Sequence, residues 1–179
     1  MEYTNDLLLV HLVRAGDEKA CEKLVNKYYS NIYQYCLLHI YDSYDAEDLT
    51  QEVFINFFNS LYRYKEYGKV KNYLYTIAGN TVRNYYKKKR DTPLDELPEY
   101  VSDNLNNEEK ITIRLDVEQA VRKLPEGIRE VVILFFFQDL KQREIAELLH
   151  IKLSLVKYRI RRAKELLIKN LEVKNDEKI

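Results

Sequence analysis

Three groups of residues have types and spacings that a ligand or partner could use. The first lies near the C-terminal end. Ser154, Lys157, Tyr158, Arg161 and Arg162 recur at three- and four-residue spacing, which places them on one face of a helix. A shorter helical segment, residues 141–149, precedes them across a turn at His150 and Ile151. Short helix, tight turn and basic helix are the parts of a helix-turn-helix, whose second helix enters the major groove of DNA. Ala146 is small where two such helices must approach, and Ile145, Leu149, Ile151, Val156 and Ile160 would form the little core. A basic helical hairpin that docks on protein has the same pattern.

The second group is the run Asp45-Ala46-Glu47-Asp48-Leu49-Thr50-Gln51-Glu52. Asp48, Gln51, Glu52, Ile55 and Asn59 fall opposite the apolar stripe and form a polar face open to a partner. A solvated face with acids favoured at a helix N-terminus explains the same run. The third group combines aromatics and bases: Tyr62, Tyr64, Tyr67, Tyr73 and Tyr75, then Tyr73, Thr76, Asn80, Arg83 and Lys87 on one helical face, ending in Lys87-Lys88-Lys89-Arg90. Aromatic rings beside a cationic track suit stacking on unpaired bases along a single strand. Core tyrosines followed by a cationic helix end are the alternative.

Catalysis finds little support. The four glycines are scattered, so no glycine-rich phosphate loop exists. Only His11, His39 and His150 are available as neutral-pH bases. Cys21, Cys36 and His39 could be imagined as metal ligands, but two isolated thiols more often pack inside a core. The expectation is a binding protein without enzyme activity, metal or cofactor.

These residues must be positioned by helices. Among 179 residues there are four glycines and three prolines, too few for the turns of an all-β fold. An all-α fold is expected. Helices are predicted over residues 5–15, over a segment capped by Asp17, over a segment capped by Asp45, and from about Val70 to Lys89, with a loop at 62–69. Helicity resumes near Lys110 and breaks at Pro125, which opens the next helix; Asp139 and Leu140 mark a turn, and the last helix spans 153–171. The expected organisation is a domain at 1–90, a flexible linker at 91–109, a second domain at 110–171 and a tail at 172–179.

The formal net charge is zero, yet the charges are segregated. Residues 42–52 carry five acids and no base, 81–90 five bases and no acid, 91–110 seven acids and one base, and 141–170 nine bases and three acids. Such blocks imply surfaces with different partners. Apolar runs such as Val131 to Phe137 are too short for a membrane span. The N-terminus lacks the basic start of a secretory signal. A cytoplasmic protein with reduced thiols is expected.

Asp45 to Phe54, Tyr73 to Asn80, Leu124-Pro125, Glu144-Ile145-Ala146, Val156-Lys157 and Arg159 to Ala163 together resemble the sigma-70 family of bacterial RNA polymerase specificity subunits, and within it the extracytoplasmic-function (group IV) sigma factors. The first block is similar to the family's region 2.2, the second to regions 2.3–2.4 and the others to region 4. The resemblance covers about residues 7–171.

It implies two helical domains, a region 2-like bundle and a region 4-like helix-turn-helix. It implies that Asp48, Leu49, Gln51 and Glu52 bind core polymerase at the clamp helices of its largest subunit, with the flap as a further contact of the protein. It implies that Tyr64, Tyr73, Thr76, Asn80, Arg83 and Lys87 engage the melted −10 element, where a flipped base enters a pocket. Ser154, Lys157, Tyr158, Arg161 and Arg162 would read the −35 element. The acidic linker would thread toward the RNA exit path. An anti-sigma factor is a further partner that the resemblance suggests.

Several residues depart from the family pattern. Tyr73 stands where Trp is common, and Gly79 where Arg is common. Lys141 and Lys152 replace capping Ser or Thr, and His150 replaces a turn glycine. Leu153 and Leu155 place apolar groups at the start of the last helix. Phe135 and Phe136 lie where a basic −35 contact is expected. The competing function class is a conventional helix-turn-helix regulator that does not act as a polymerase subunit. A protein-interaction adaptor is a more distant one.

Overall fold

A computed structural model describes residues 3–65, 69–91 and 117–176. The linker expected at 91–109 lies, beyond Asp91, outside the described residues, as does Tyr67. Among the described residues there are helices and no strands, so the fold is all-α. The chain divides into two compact units, Met1–Tyr100 and Val101–Ile179.

The first unit holds α1 (Tyr3–Arg14), α2 (Glu18–Ile40), α3 (Ser43–Ser60), a 3₁₀ turn (Leu61–Arg63) and α4 (Val70–Asp91). Gly16 joins α1 to α2 at φ 87°, a conformation that side chains with a Cβ rarely adopt. Asp17 then caps α2, its carboxylate accepting the Ala20 N–H at 3.1 Å. An apolar stripe of α2 at three- and four-residue spacing faces inward through Leu24, Tyr28, Ile32, Tyr35 and Cys36. The helix stops at Tyr41, which turns left-handed at φ 63° and donates its N–H to the Leu37 carbonyl at 2.8 Å.

α3 corrects one expectation. Its cap is Asp42, whose side chain accepts the Asp45 N–H at 2.8 Å. Asp45 sits inside the first turn, and its carboxylate receives the Tyr85 hydroxyl from α4. Two carboxylates three positions apart compete for one cap, and only the packing of α4 shows which is engaged elsewhere. Val53 and Phe57, both fully buried, anchor α3 in the core.

α4 packs inward with Val70, Leu74, Ile77, Ala78 and Val82. Gly79 lies where a Cβ would come within 3.3 Å of the Tyr35 hydroxyl. Absence of a side chain there lets α4 approach α2, and the rings of Tyr35 and Tyr75 meet at 5.4 Å. Burial pushes the Tyr75 hydroxyl well above its ordinary range, against a hydrogen bond with Asn31. The Cys36 thiol is likewise pushed up by burial to about 11, against a hydrogen bond with Thr50. It therefore stays protonated near neutrality, in keeping with a packing role.

The second unit holds helical residues 117–122 (α5), α6 (Glu126–Val132), α7 (Gln142–Leu148) and α8 (Leu153–Asp176). Pro125 precedes α6 and its carbonyl accepts the Ile128 and Arg129 N–H groups. α6 does not end at a simple turn. It widens into a π-helical turn, Ile133–Phe137, closed by the Gln138 N–H on the Ile133 carbonyl at 3.1 Å. Asp139 then turns left-handed at φ 51°. α8 continues to Asp176, past residue 171 where the apolar period ends and into the segment expected to be a tail.

The two acids at the head of α3 can be separated by mutation. Asp42→Ala should lower the stability of the chain by about 1 kcal/mol through the lost cap. Asp45→Asn, which keeps an acceptor for Tyr85, should cost less. Urea midpoints of the two variants measure the difference.

Candidate nucleic-acid and polymerase interfaces

α3 presents its polar side by rotation alone. With Leu49, Val53 and Phe57 inward, Asp48, Gln51, Glu52 and Ile55 emerge on the exposed side. Leu49 itself, which the resemblance includes in this face, is only 6% exposed. It anchors the helix rather than presenting a side chain to a partner. Beside the acidic turn stands an aromatic row that periodicity does not signal. Tyr29 of α2 lies nearly parallel to Tyr33, at 6.4 Å between centroids, and to Phe54 of α3, at 6.2 Å. Burial, then the charge of Glu47, pushes the Tyr29 hydroxyl above its ordinary range. The row is legible only once α2 and α3 are packed together.

A groove of about 460 Å³ opens between α3 and α4. Asn56, Asn59 and Arg63 come from α3 and the turn after it; Tyr73, Thr76 and Asn80 come from α4. Amide groups offer both donors and acceptors, which suits the edge of an unpaired base. Asn59 belongs to this groove, although its helical position also suits the acidic face. Asn56, Asn84 and Arg63 line it too, and their spacing in sequence does not mark them. Asn80 accepts a hydrogen bond from the Arg83 guanidinium, and Thr76 donates its hydroxyl to the Asn72 carbonyl at 3.0 Å. Lys87 is exposed farther along α4.

The tyrosines divide. Tyr62 is 77% exposed. Tyr64, a candidate for base contact, is only 6% exposed, and its ring stacks on Tyr73 at 4.7 Å. Tyr64 is thus a support for Tyr73 rather than a surface residue. Tyr75 is buried against Tyr35.

In the second unit, α7 and α8 form the helix-turn-helix. Ile145, Val156, Ile160 and Ala163 are buried between them and α6. The turn goes left-handed at His150, φ 53°, where a side chain costs roughly 1–2 kcal/mol relative to glycine. The Ile151 N–H closes it on the Ala146 carbonyl at 3.0 Å. Lys141 brings no side-chain acceptor to the start of α7. Glu144 takes part of that work, its carboxylate accepting the Lys141 backbone N–H at 2.7 Å.

Ser154, Lys157, Tyr158, Arg161 and Arg162 are all exposed along α8. The Arg161 guanidinium lies 5.9 Å from the centre of the Tyr158 ring, and Arg162 pairs with Glu165 at 2.8 Å. Arg159 is turned the other way. It lies over Gly127 of α6, where a Cβ would come within 3.0 Å of its guanidinium. Leu153 and Leu155 are half-buried, so less apolar surface opens here than their sequence positions suggest. Phe136 of the π-turn is 51% exposed.

Comparison with known proteins gives these surfaces a family. Residues 24–92 match the family model for sigma-70 region 2, and residues 114–167 the model for sigma-70, region 4. The ECF RNA polymerase sigma factor SigW of Bacillus subtilis (strain 168) is 32% identical over 173 residues, covering 89% of this chain and 92% of that one. Two solved structures share the fold. CnrH in complex with the cytosolic domain of CnrY superposes with a TM-score of 0.75 at 21% identity, over 94% of this chain and 98% of that one. The sigma factor RpoE of Bartonella quintana, in complex with the anti-sigma factor NepR, does so with a TM-score of 0.72 at 18% identity, over 85% and 96%. With the region 2 and region 4 matches in family order, and a likeness to SigW that runs nearly end to end, the chain belongs to the sigma-70 family as an extracytoplasmic-function sigma factor.

Proposed function

We propose that this sigma factor divides polymerase docking and promoter recognition among the three surfaces described above. The chain is a sigma factor that directs RNA polymerase to promoters, and sigma factors are not enzymes. The exposed side of α3, with Asp48, Gln51 and Glu52, docks on the clamp helices of the largest polymerase subunit. The groove between α3 and α4 takes a base of the melted −10 strand, while Arg83 and Lys87 track its phosphates. The exposed side of α8 lies in the major groove at the −35 element. Lys157, Arg161 and Tyr158 are its principal contacts, because Glu165 engages Arg162.

One observation carries this reading: an amide-lined groove stands directly beside a cationic helix face. A fold without nucleic-acid function has no need for that pairing. The alternative of a regulator that is not a polymerase subunit leaves the groove and the acidic α3 face without a task. By analogy with RpoE bound to NepR, an anti-sigma factor is a further partner. No helix among the described residues is long and apolar enough to cross a membrane. The protein acts in the cytoplasm, beside the polymerase.

Each surface yields a separate expectation. Asp48→Ala combined with Gln51→Ala should weaken core polymerase binding by about tenfold, roughly 1.4 kcal/mol, without loss of helix content. Unchanged affinity in a pull-down titration would remove the role of this face.

Asn80→Ala should slow strand opening on duplex promoters yet recover on a template carrying a pre-formed bubble, where unpairing is already done. Permanganate footprinting and abortive initiation on both templates read this out. Equal defects on the two would point to a duplex contact.

Lys157→Ala should reduce the log–log salt dependence of promoter binding by about one unit if it touches phosphate. If Arg161 reads a base, Arg161→Ala should cost roughly 1–3 kcal/mol and relax choice at one −35 position. Both holoenzymes should assemble normally. Wild-type binding that ignores a scrambled −35 element would end this assignment.

A further inference from the structure

Arg14 is the last residue of α1, an element to which none of the three surfaces belongs. Its guanidinium reaches across to the turn that follows α3. The Leu61 carbonyl accepts from Arg14 Nε at 3.2 Å and from Nη2 at 2.7 Å. Nη2 also donates to the Tyr64 carbonyl. One planar cation therefore holds the first carbonyl of the 3₁₀ turn and the carbonyl just beyond its end. A 3₁₀ turn of three residues is weakly bonded on its own, here by the Tyr64 N–H on the Leu61 carbonyl at 3.2 Å.

Tyr64 carries the restraint onward. Its ring stacks on Tyr73 of α4, and its hydroxyl accepts the Lys69 N–H at 3.1 Å. The turn is thus tied to α1 on one side and to α4 on the other. Between those ties stand Tyr62, almost fully exposed, and Arg63, which lines the groove. These are an aromatic ring and a cation at the place where an unpaired strand would enter.

We infer that Arg14 is a positioning residue for capture of the −10 strand: it holds the Leu61–Arg63 turn so that Tyr62 and Arg63 stand ready at the groove before DNA arrives. The inference rests on the groove reading above and deepens it. Preorganisation matters because a turn ordered only on binding draws its ordering cost from the affinity. The fork geometry matters because lysine would keep the charge but not span two carbonyls in one plane.

The test uses full-length protein assembled with core polymerase, as wild type, Arg14→Met and Arg14→Lys. The probe is a short fluorescent single strand selected from a randomised pool by the wild-type holoenzyme, with a scrambled version as control. Binding is read by anisotropy, assembly by core titration and folding by urea midpoint. Arg14→Met should bind the selected strand about tenfold more weakly and the scrambled strand within about twofold of wild type, with assembly unchanged. Arg14→Lys, which preserves the packing of the side-chain stem, should follow Arg14→Met. Wild-type discrimination in Arg14→Lys overturns the inference alone. So does a loss shared equally by both strands and by core binding, which marks Arg14 as mere structural support. A wild type that selects no strand, or binds the scrambled one equally, overturns the groove reading and this inference together.

Discussion

The rotation of α3 about its own axis governs the rest of the first unit. Val53 and Phe57 are fully buried and one turn apart, and Leu49 extends the same stripe. An α-helix advances about 100° per residue, so fixing that stripe fixes every other direction on the helix. Asp48, Gln51 and Glu52 then emerge on the exposed side, and Asn56 and Asn59, farther along the same helix, line the groove beside α4. One helix thereby contributes both to an exposed acidic face and to the groove beside α4. A register change in the core would misdirect both.

The second unit meets a different constraint. Its recognition helix must be held rigidly although the local chemistry of the turn is poor. His150 occupies a left-handed position without being glycine, and Lys141 offers no capping side chain. Compensation comes from the Glu144 carboxylate at the start of α7, from the Ile151 N–H on the Ala146 carbonyl, and from the buried cluster of Ile145, Val156 and Ile160. Tertiary burial overrides local propensity here, as it generally does for short helices. Arg159 packed over Gly127 adds a contact to α6, while Lys157, Arg161, Arg162 and Lys164 are exposed.

Zero net charge conceals a segregation of charge along the chain. Acids concentrate at the start of α3 and bases at the end of α4 and along α8. The chain as a whole is neutral while its acids and bases occupy separate stretches. The Tyr85 hydroxyl on Asp45, with Lys89 Nζ donating to that hydroxyl at 3.0 Å, joins the acidic helix start to the cationic helix end.

Sequence alone determined the helical class, the inward stripes of α2 and α4, the exposed cations of α8 and the breaks at Gly16 and Pro125. Those features are written in a 3.6-residue period and in the backbone limits of glycine and proline, which are local properties. The motif blocks, taken together, also made the family legible. Tertiary structure alone decided that Asp42 rather than Asp45 caps α3, that Tyr64 is buried while Tyr62 is exposed, and that Asn56, Asn59 and Arg63 join Asn80 in one groove. It also decided that α6 ends in a π-turn and that Arg14 reaches Leu61 and Tyr64. The choice of cap and the reach of Arg14 depend on which side chain of a second element arrives at a given place, and residues 40 to 50 positions apart settle them. A periodic pattern read along one helix contains no information about that arrival.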